Sequence, residues 1–208
     1  MSEVTPDIAA GALAATEAAA IASYRGIGRG DEKAADQLAV DAMRTGLNAM
    51  AIKGRVVIGE GERDEAPMLY IGEEVGTGTG FEYDIALDPL EGTTLTAKAM
   101  PNALAVLAIA PKGGMLYAPD TYMDKIAVGP GLPQGVVNID KSPADNVIAL
   151  AAAKGVAPSD IGVCVLDRPR HAAIIDSLRS VGARVHLITD GDVAGVIYTT
   201  DPETGIDL

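Results

Sequence analysis

Tyr83-Asp84-Ile85-Ala86-Leu87-Asp88-Pro89-Leu90-Glu91-Gly92-Thr93-Thr94 is the stretch around which the rest of the chain makes sense. Ile85, Ala86 and Leu87 are apolar and read as a buried strand. Pro89 is expected to end that strand, because proline cannot donate to a ladder. Asp88 then falls at the strand's carboxyl end, the side on which open α/β sheets hold their ligands. Glu91 follows across a tight Pro-Leu-Glu-Gly turn, and Thr93 and Thr94 open the next segment with N–H groups and hydroxyls that suit an anion. Two carboxylates beside an anion-accepting turn are what a divalent cation holding a phosphate requires. Hard cations take oxygen ligands, and Mg²⁺ is usually shared between a few carboxylates and the substrate's phosphate. The same residues would also make a plain Asp-Pro turn with a threonine helix cap, so the remainder of the chain must decide.

Composition narrows the field. The 208 residues are 48% hydrophobic but only 3% aromatic, with no Trp, so a sizeable core must be aliphatic and alanine-rich. The formal charge of −13 excludes a nucleic-acid binder of the usual kind, which clusters Lys and Arg against the phosphate backbone. The same charge opposes a phosphorylated small substrate unless cations gather locally. Cys164 is the single cysteine, so no intrachain disulfide forms, in keeping with a reducing cytoplasm. Met1 to Asp7 is acidic where a targeting peptide would be basic, and no apolar run is long enough for a bilayer, so neither membrane nor secretion is expected.

Upstream of the opening stretch, residues 6–24 read as a helix with Thr5 as N-cap, Pro6 at the first position and Gly26 as the stop. Ile8, Ala12, Ala15, Ala19 and Ala22 form its packing face. Gly26, Gly28 and Gly30 read as a flexible link and not as a dinucleotide fingerprint, since no strand precedes them. A second helix is expected from Asp31 to Ile52, with Leu38, Met43, Leu47 and Met50 on one face. Asp36 lies near its start, where an acid ordinarily serves the helix dipole. Arg55 to Ile58 is a short strand running into Gly59-Glu60-Gly61-Glu62, whose glycines would let a ligand approach the backbone.

Downstream, Asn102 to Ala110 is a continuous apolar run and reads as a central strand buried on both faces. Gly113-Gly114 turns the chain and Met115 to Tyr117 is expected to pair back. Tyr122 to Val128 reads as a further strand, with Tyr122 and Lys125 as candidate surface residues. After about residue 140 helices and strands alternate: a helix capped by Ser142-Pro143 through Lys154, a strand Ile161–Leu166, a helix from Pro169 to Val181, a strand Arg184–Ile188, and Asp190 as the cap of the segment after it. That alternation implies a parallel sheet. It puts Asp167-Arg168-Pro169-Arg170-His171 and Asp190-Gly191-Asp192 at carboxyl ends of strands. Arg168 and Arg170 are the nearest thing to a basic cluster, and the guanidinium fork suits phosphate. His171 reads as structural and His186 as a satisfied sheet histidine.

Taken together, these acidic strand and helix ends resemble the metal-dependent, lithium-sensitive sugar and inositol phosphatase superfamily. Its hallmark Asp-Pro-Ile/Leu-Asp-Gly-Thr/Ser stands here as Asp88-Pro89-Leu90-Glu91-Gly92-Thr93. The Glu in place of the second Asp resembles the class II fructose-1,6-bisphosphatases, as do Gly59 to Glu62, Asp64 to Gly72, Ala118 to Met123, Pro169-Arg170-His171 and Asp190-Gly191-Asp192. The resemblance implies an α/β fold of alternating helix and sheet layers with its second half truncated. It is divided here into a metal-binding phosphatase subdomain at 1–138 and a sugar-phosphate-binding subdomain at 139–208. It implies Asp36, Glu60, Asp88 and Glu91 as ligands of Mn²⁺ or Mg²⁺, and Thr93 as the hydroxyl that helps orient the attacking water. Asp36, Glu60, Asp88 and Thr93 are thus the catalytic set. Glu91, Gly92, Thr93, Tyr122, Arg168, Pro169, Arg170, Asp190, Gly191 and Asp192 would meet the sugar bisphosphate.

The implied activity is hydrolysis of fructose 1,6-bisphosphate, as in gluconeogenesis or the Calvin cycle, by a cytoplasmic dimer or tetramer. Sedoheptulose 1,7-bisphosphate as substrate, and an inactive metal- or phosphate-binding form, stand as alternatives. In two places the chain departs from the family. Glu32 holds the place after Asp31 where the family often has Lys, with Lys33 one residue later. The chain also ends at Leu208, ahead of the Gly-Gly-x-Pro-Glu-Gly segment whose Glu completes the metal site in class II enzymes.

Overall fold

The computed structural model describes residues 4–59, 69–116 and 121–208. The chain is mixed α/β and forms two compact units, Met1–Thr121 and Tyr122–Leu208. The expected boundary at 138/139 lies further along. Residues 122–138 go with the second unit because Val128, Leu132 and Val137 pack against its core.

The first unit opens with α1 (Pro6–Ser23) and α2 (Glu32–Asn48). Thr5 caps α1 by accepting the Ile8 N–H at 3.4 Å, and Asp31 caps α2 by accepting the Ala34 N–H at 3.0 Å. The two helices cross closely because small residues meet. A Cβ on Gly46 would fall 2.9 Å from the Ala15 Cα, and one on Gly26 would fall 2.7 Å from the Ala35 Cβ. Ala12, Ala15 and Ala19 are buried as expected, with Ser23 completing the face where Ala22 is only half-buried. In α2 the buried face is Ala35, Ala39, Val40, Met43 and Leu47, and Leu38 is half-buried. The helix stops at Asn48, short of the expected Ile52, though Met50 and Ile52 still join the core.

Against these helices lies a four-stranded sheet in the order β2-β1-β3-β4, formed by β1 (Lys53–Ile58), β2 (Glu74–Val75), β3 (Glu82–Glu91) and β4 (Leu104–Pro111). β1 and β3 are parallel; the other two pairings are antiparallel. Three expectations are corrected here. β3 does not stop at Pro89 but runs on to Glu91, with a bulge between Asp88 and Glu91. A bulge is one of the few places where a strand tolerates proline. β4 is an edge strand, half-buried along most of its length, with Ala105, Leu107 and Ile109 packing on the core. An unbroken apolar run does not by itself say whether both faces are covered. The Gly114 N–H closes a turn onto the Pro111 carbonyl at 2.8 Å, but among the described residues Met115 and Leu116 form no ladder, and Tyr117 lies outside them.

The second unit carries α4 (Pro143–Lys154), β5 (Gly162–Leu166), α5 (Ala172–Ser180), β6 (Arg184–Ile188) and α6 (Asp192–Tyr198). β5 and β6 are parallel, from Gly162 opposite Arg184 to Leu166 opposite Ile188, as the alternation requires. Val147, Leu150, Ile161, Val163 and Leu178 fill the core between them and the helices. Among the described residues, 122–128 enter no ladder, and the strand expected there is not formed. Pro169–His171 is a separate 3-10 turn ahead of α5, because the proline starts the turn tightly. The residue capping α6 is Gly191 and not Asp190. Among the described residues no helix is long and apolar enough to cross a membrane.

Candidate active site

The bulge in β3 decides where its acids face. Asp88 opposes Val106 on β4, and Glu91 opposes Leu104. Val106 and Leu104 are two residues apart and share one side of the sheet, and directly opposed residues point the same way. Asp88 and Glu91 are three apart and would face opposite sides of a regular strand; the one extra residue brings them to the same side. The Asp88 carboxylate accepts the Leu90 N–H at 3.0 Å, which shapes the bulge from within. Glu91 is 8% exposed, a carboxylate held almost wholly out of water. Gly92 follows at φ 85°, and a Cβ there would lie 2.8 Å from the Leu95 Cδ1. Only glycine takes this left-handed step easily, and it turns the chain into α3 (Thr93–Ala97), with Thr93 and Thr94 half-buried at its start.

Asp36 reaches the same neighbourhood from α2. With Asp31 as cap and Glu32 in the first turn, Asp36 sits in the second turn, beyond the position that serves the helix dipole. Its Oδ1 is buried and has no hydrogen-bond partner among the described residues. Burial pushes its carboxyl above the usual aspartate value, and the charge of Asp88 pushes it further. α3 is tied to the entry of α2 by the Gly28 N–H on the Thr96 carbonyl and the Gly30 N–H on the Ala97 carbonyl, both at 3.0 Å. The glycines expected as a flexible link are therefore a pinned turn. Lys33 is exposed on the first turn of α2.

Glu60, with 61–68, and Ala118-Pro119-Asp120 lie outside the described residues. Among the described residues no three His, Cys, Asp or Glu side chains gather as a metal site. One half-buried ion pair connects α2 to the segment before β2. The Arg44 Nε donates to Glu73 Oε1 at 2.7 Å and its Nη2 to Oε2 at 3.2 Å. The hydrogen bond to Glu73 raises the guanidinium's pKa.

In the second unit, Tyr122 and Arg170 do come together, with the guanidinium carbon 4.4 Å from the ring centroid. Arg168 is half-buried and its Nη1 donates to the Asp167 carbonyl at 3.2 Å; Pro169 starts the turn that carries Arg170. Gly191 has φ 83°, and Asp192 pairs with Lys125 at 2.6 Å. Asp190 is half-exposed beside them, with its cap role taken by Gly191. Lys125 reads from the sequence as a surface residue, and nothing there points to its pairing. A lysine 67 positions from its partner carries no local signal. His171 is structural, its Nδ1 lying 2.7 Å from the Leu166 carbonyl. His186 sits in β6 opposite Cys164, a sheet histidine as expected, with its side chain exposed to solvent.

A family model described as bacterial fructose-1,6-bisphosphatase, glpX-encoded, matches residues 6–208. Over 193 residues the chain is 52% identical to fructose-1,6-bisphosphatase 1 class 2 of Escherichia coli (strain K12). It is likewise 52% identical to fructose-1,6-bisphosphatase class 2 of Shigella flexneri. Each match covers 93% of this chain and 57% of the relative, so the chain spans little more than half the length of these proteins. With acids, bulge and glycine turn all lying inside the matched region, the chain belongs to the bacterial, glpX-encoded fructose-1,6-bisphosphatase family.

Proposed function

We propose that this chain carries the catalytic residues for removing one phosphate from fructose 1,6-bisphosphate, with Mn²⁺ or Mg²⁺ as cofactor. The observation that carries this reading is the buried Asp36 oxygen with no hydrogen-bond partner among the described residues, standing against the charge of Asp88. Two carboxylates so placed would be held ionised by a bound cation, and their oxygens suit a hard divalent ion. Asp36, Asp88 and Glu91 would hold it together with Glu60. In sequence Glu60 follows two residues after Ile58, and Ile58 pairs with Ala86, two residues before Asp88. When bound, the ion supplies charge stabilisation to the phosphoryl oxygens and acidifies a water. The chain's own groups do the positioning that phosphoryl transfer needs most. First-turn N–H groups have no acceptor inside a helix, so those of Thr93 and Thr94 would be available to hold phosphoryl oxygens, while the Thr93 hydroxyl would orient water. By the family resemblance, Arg168 and Arg170 would bind the second phosphate, with Tyr122, Pro169, Asp190, Gly191 and Asp192 as sugar contacts.

Phosphate release from fructose 1,6-bisphosphate, measured with Mn²⁺, with Mg²⁺ and in EDTA, tests the proposal. Release is expected only with metal, to be abolished by Asp88→Ala and retained by Asp7→Ala. Metal-independent release, or equal loss in both variants, overturns it. A parallel arm with sedoheptulose 1,7-bisphosphate reads the sugar preference. Mn²⁺ binding without release from either sugar would mark a binding protein.

A further inference from the structure

Among the described residues, 122–129 join no ladder, yet three contacts hold them in place. At Gly129 the chain passes so close to the end of α6 that a Cβ would fall 2.1 Å from the Thr199 carbonyl oxygen. At Lys125 the ammonium donates to Asp192 Oδ2 at 2.6 Å, at the start of the same helix. At Tyr122 the Arg170 guanidinium carbon lies 4.4 Å from the ring centroid. Asp192 to Thr199 is about 10 Å of helix, and Lys125 to Gly129 reaches at most about 14 Å. The segment therefore runs antiparallel to α6 in a largely extended path. It then passes to the turn after β5, so that one stretch meets the loops that follow both strands.

Charge and stiffness give this stretch a task. Asp190 and Asp192 put two carboxylates in the loop after β6, where an anionic phosphate ester would be repelled. Lys125 cancels one of them. The two side chains are 63% and 39% exposed, so the pair adds little to folding, and its value lies in what it holds. Gly191 turns the chain into α6 at φ 83°, and a helix this short has little stiffness of its own. The Gly195 N–H closes its first turn on the Gly191 carbonyl at 3.3 Å. Tethering Asp192 fixes that turn and the way its carboxylate faces.

We propose that Lys125 is a positioning residue for the sugar bisphosphate. Acting through Asp192, it fixes the 190–192 loop and removes one negative charge from it, while Tyr122 on the same stretch steadies Arg170 in the other loop. This role rests on the phosphatase reading, and in it Lys125 touches no substrate itself.

Steady-state phosphate release from fructose 1,6-bisphosphate with Mn²⁺ tests it, on the full chain carrying Lys125→Met, Lys125→Arg, Asp192→Asn, or Lys125→Met with Asp192→Asn. Lys125→Met should raise KM by about fivefold, the upper range for an exposed ion pair, with kcat within about twofold of wild type. Lys125→Arg keeps the charge and should hold KM within about twofold of wild type. Added to Asp192→Asn, Lys125→Met should change KM by less than about twofold, because the group it acts through is already neutral. An unchanged KM in Lys125→Met, a kcat that falls as far as KM rises, or a full loss that persists beside Asp192→Asn, as a direct contact with phosphate would give, each overturns the proposal. Lys125 is exposed, and matched circular-dichroism melts check that the fold is intact. A wild type that releases no phosphate overturns the phosphatase reading itself, and amide exchange without substrate then decides the tether. The Gly195 N–H should exchange about threefold faster in Lys125→Met than in wild type and Lys125→Arg. Equal exchange in all three overturns the tether as well.

Discussion

The carboxyl of Asp36 ionises above its ordinary value because it is buried and because Asp88 stands beside it as a negative charge. An acid whose pKa is raised by folding binds its proton more tightly in the native state. Stability then falls as pH rises from the unfolded value of 3.8 through the raised one, and the deficit persists above it. Asp36→Asn is therefore expected to melt higher than wild type at neutral pH in EDTA, with the gap closing as pH falls below 3.8. Adding Mn²⁺ should reverse the order, since only the wild type gains from an ion bound to the native state. Calorimetry of the two proteins with and without metal reads all of these outcomes. A variant that melts lower than wild type in EDTA contradicts them.

Arg44 and Glu73 form a two-pronged pair that is only partly reached by water, the side chains being 26% and 12% exposed. Arg44→Met strips Glu73 of its main partner and should destabilise the first unit by about 2 kcal/mol in urea unfolding. Combining it with Glu73→Leu should cost less than the sum of the two single changes, since no lone charge then remains.

Gly92→Ala places a Cβ against Leu95 in a left-handed backbone step. Strain of this kind costs on the order of 1–3 kcal/mol. It also shifts the start of α3, so activity should fall by more than stability alone would account for. Phosphate release measured well below the melting temperature separates the two effects.

Arg170 lies over the Tyr122 ring, which holds the guanidinium in place. Arg170→Ala should raise KM for the bisphosphate by about tenfold or more, the order expected for losing a charge-assisted hydrogen bond, with a smaller change in kcat. Tyr122→Phe keeps the ring face and should leave KM near wild type, whereas Tyr122→Ala should move it partway toward Arg170→Ala.

The elements that local chemistry determines are legible from the residues. Thr5, Asp31 and Ser142 each cap the helix their spacing announces, and β5 with β6 follows from helix–strand alternation. The features that stay hidden depend on partners far away in sequence. The apolar run at 104–111 looks alike in a central or an edge strand, and only the strand order tells them apart. Asp36 reads as a helix-dipole acid because nothing in its neighbours announces Asp88, fifty-two positions on. Lys125 and Asp192 meet for reasons that lie in the fold of residues 122–208 as a whole.

The miscounted ladder between β3 and β4 has a consequence for anyone rewriting this loop. An Asp-x-Glu spacing in an uninterrupted strand would aim both acids the same way, but with one residue between them to fasten the rim. The Asp-x-x-Glu found here keeps that aim and sets two buried residues, Pro89 and Leu90, in the gap. Parity, more than the identity of the intervening residues, is what a loop redesign must preserve. Ironing out the irregularity at constant length would swing Glu91 through the sheet to its far side, with every atom of the motif still present.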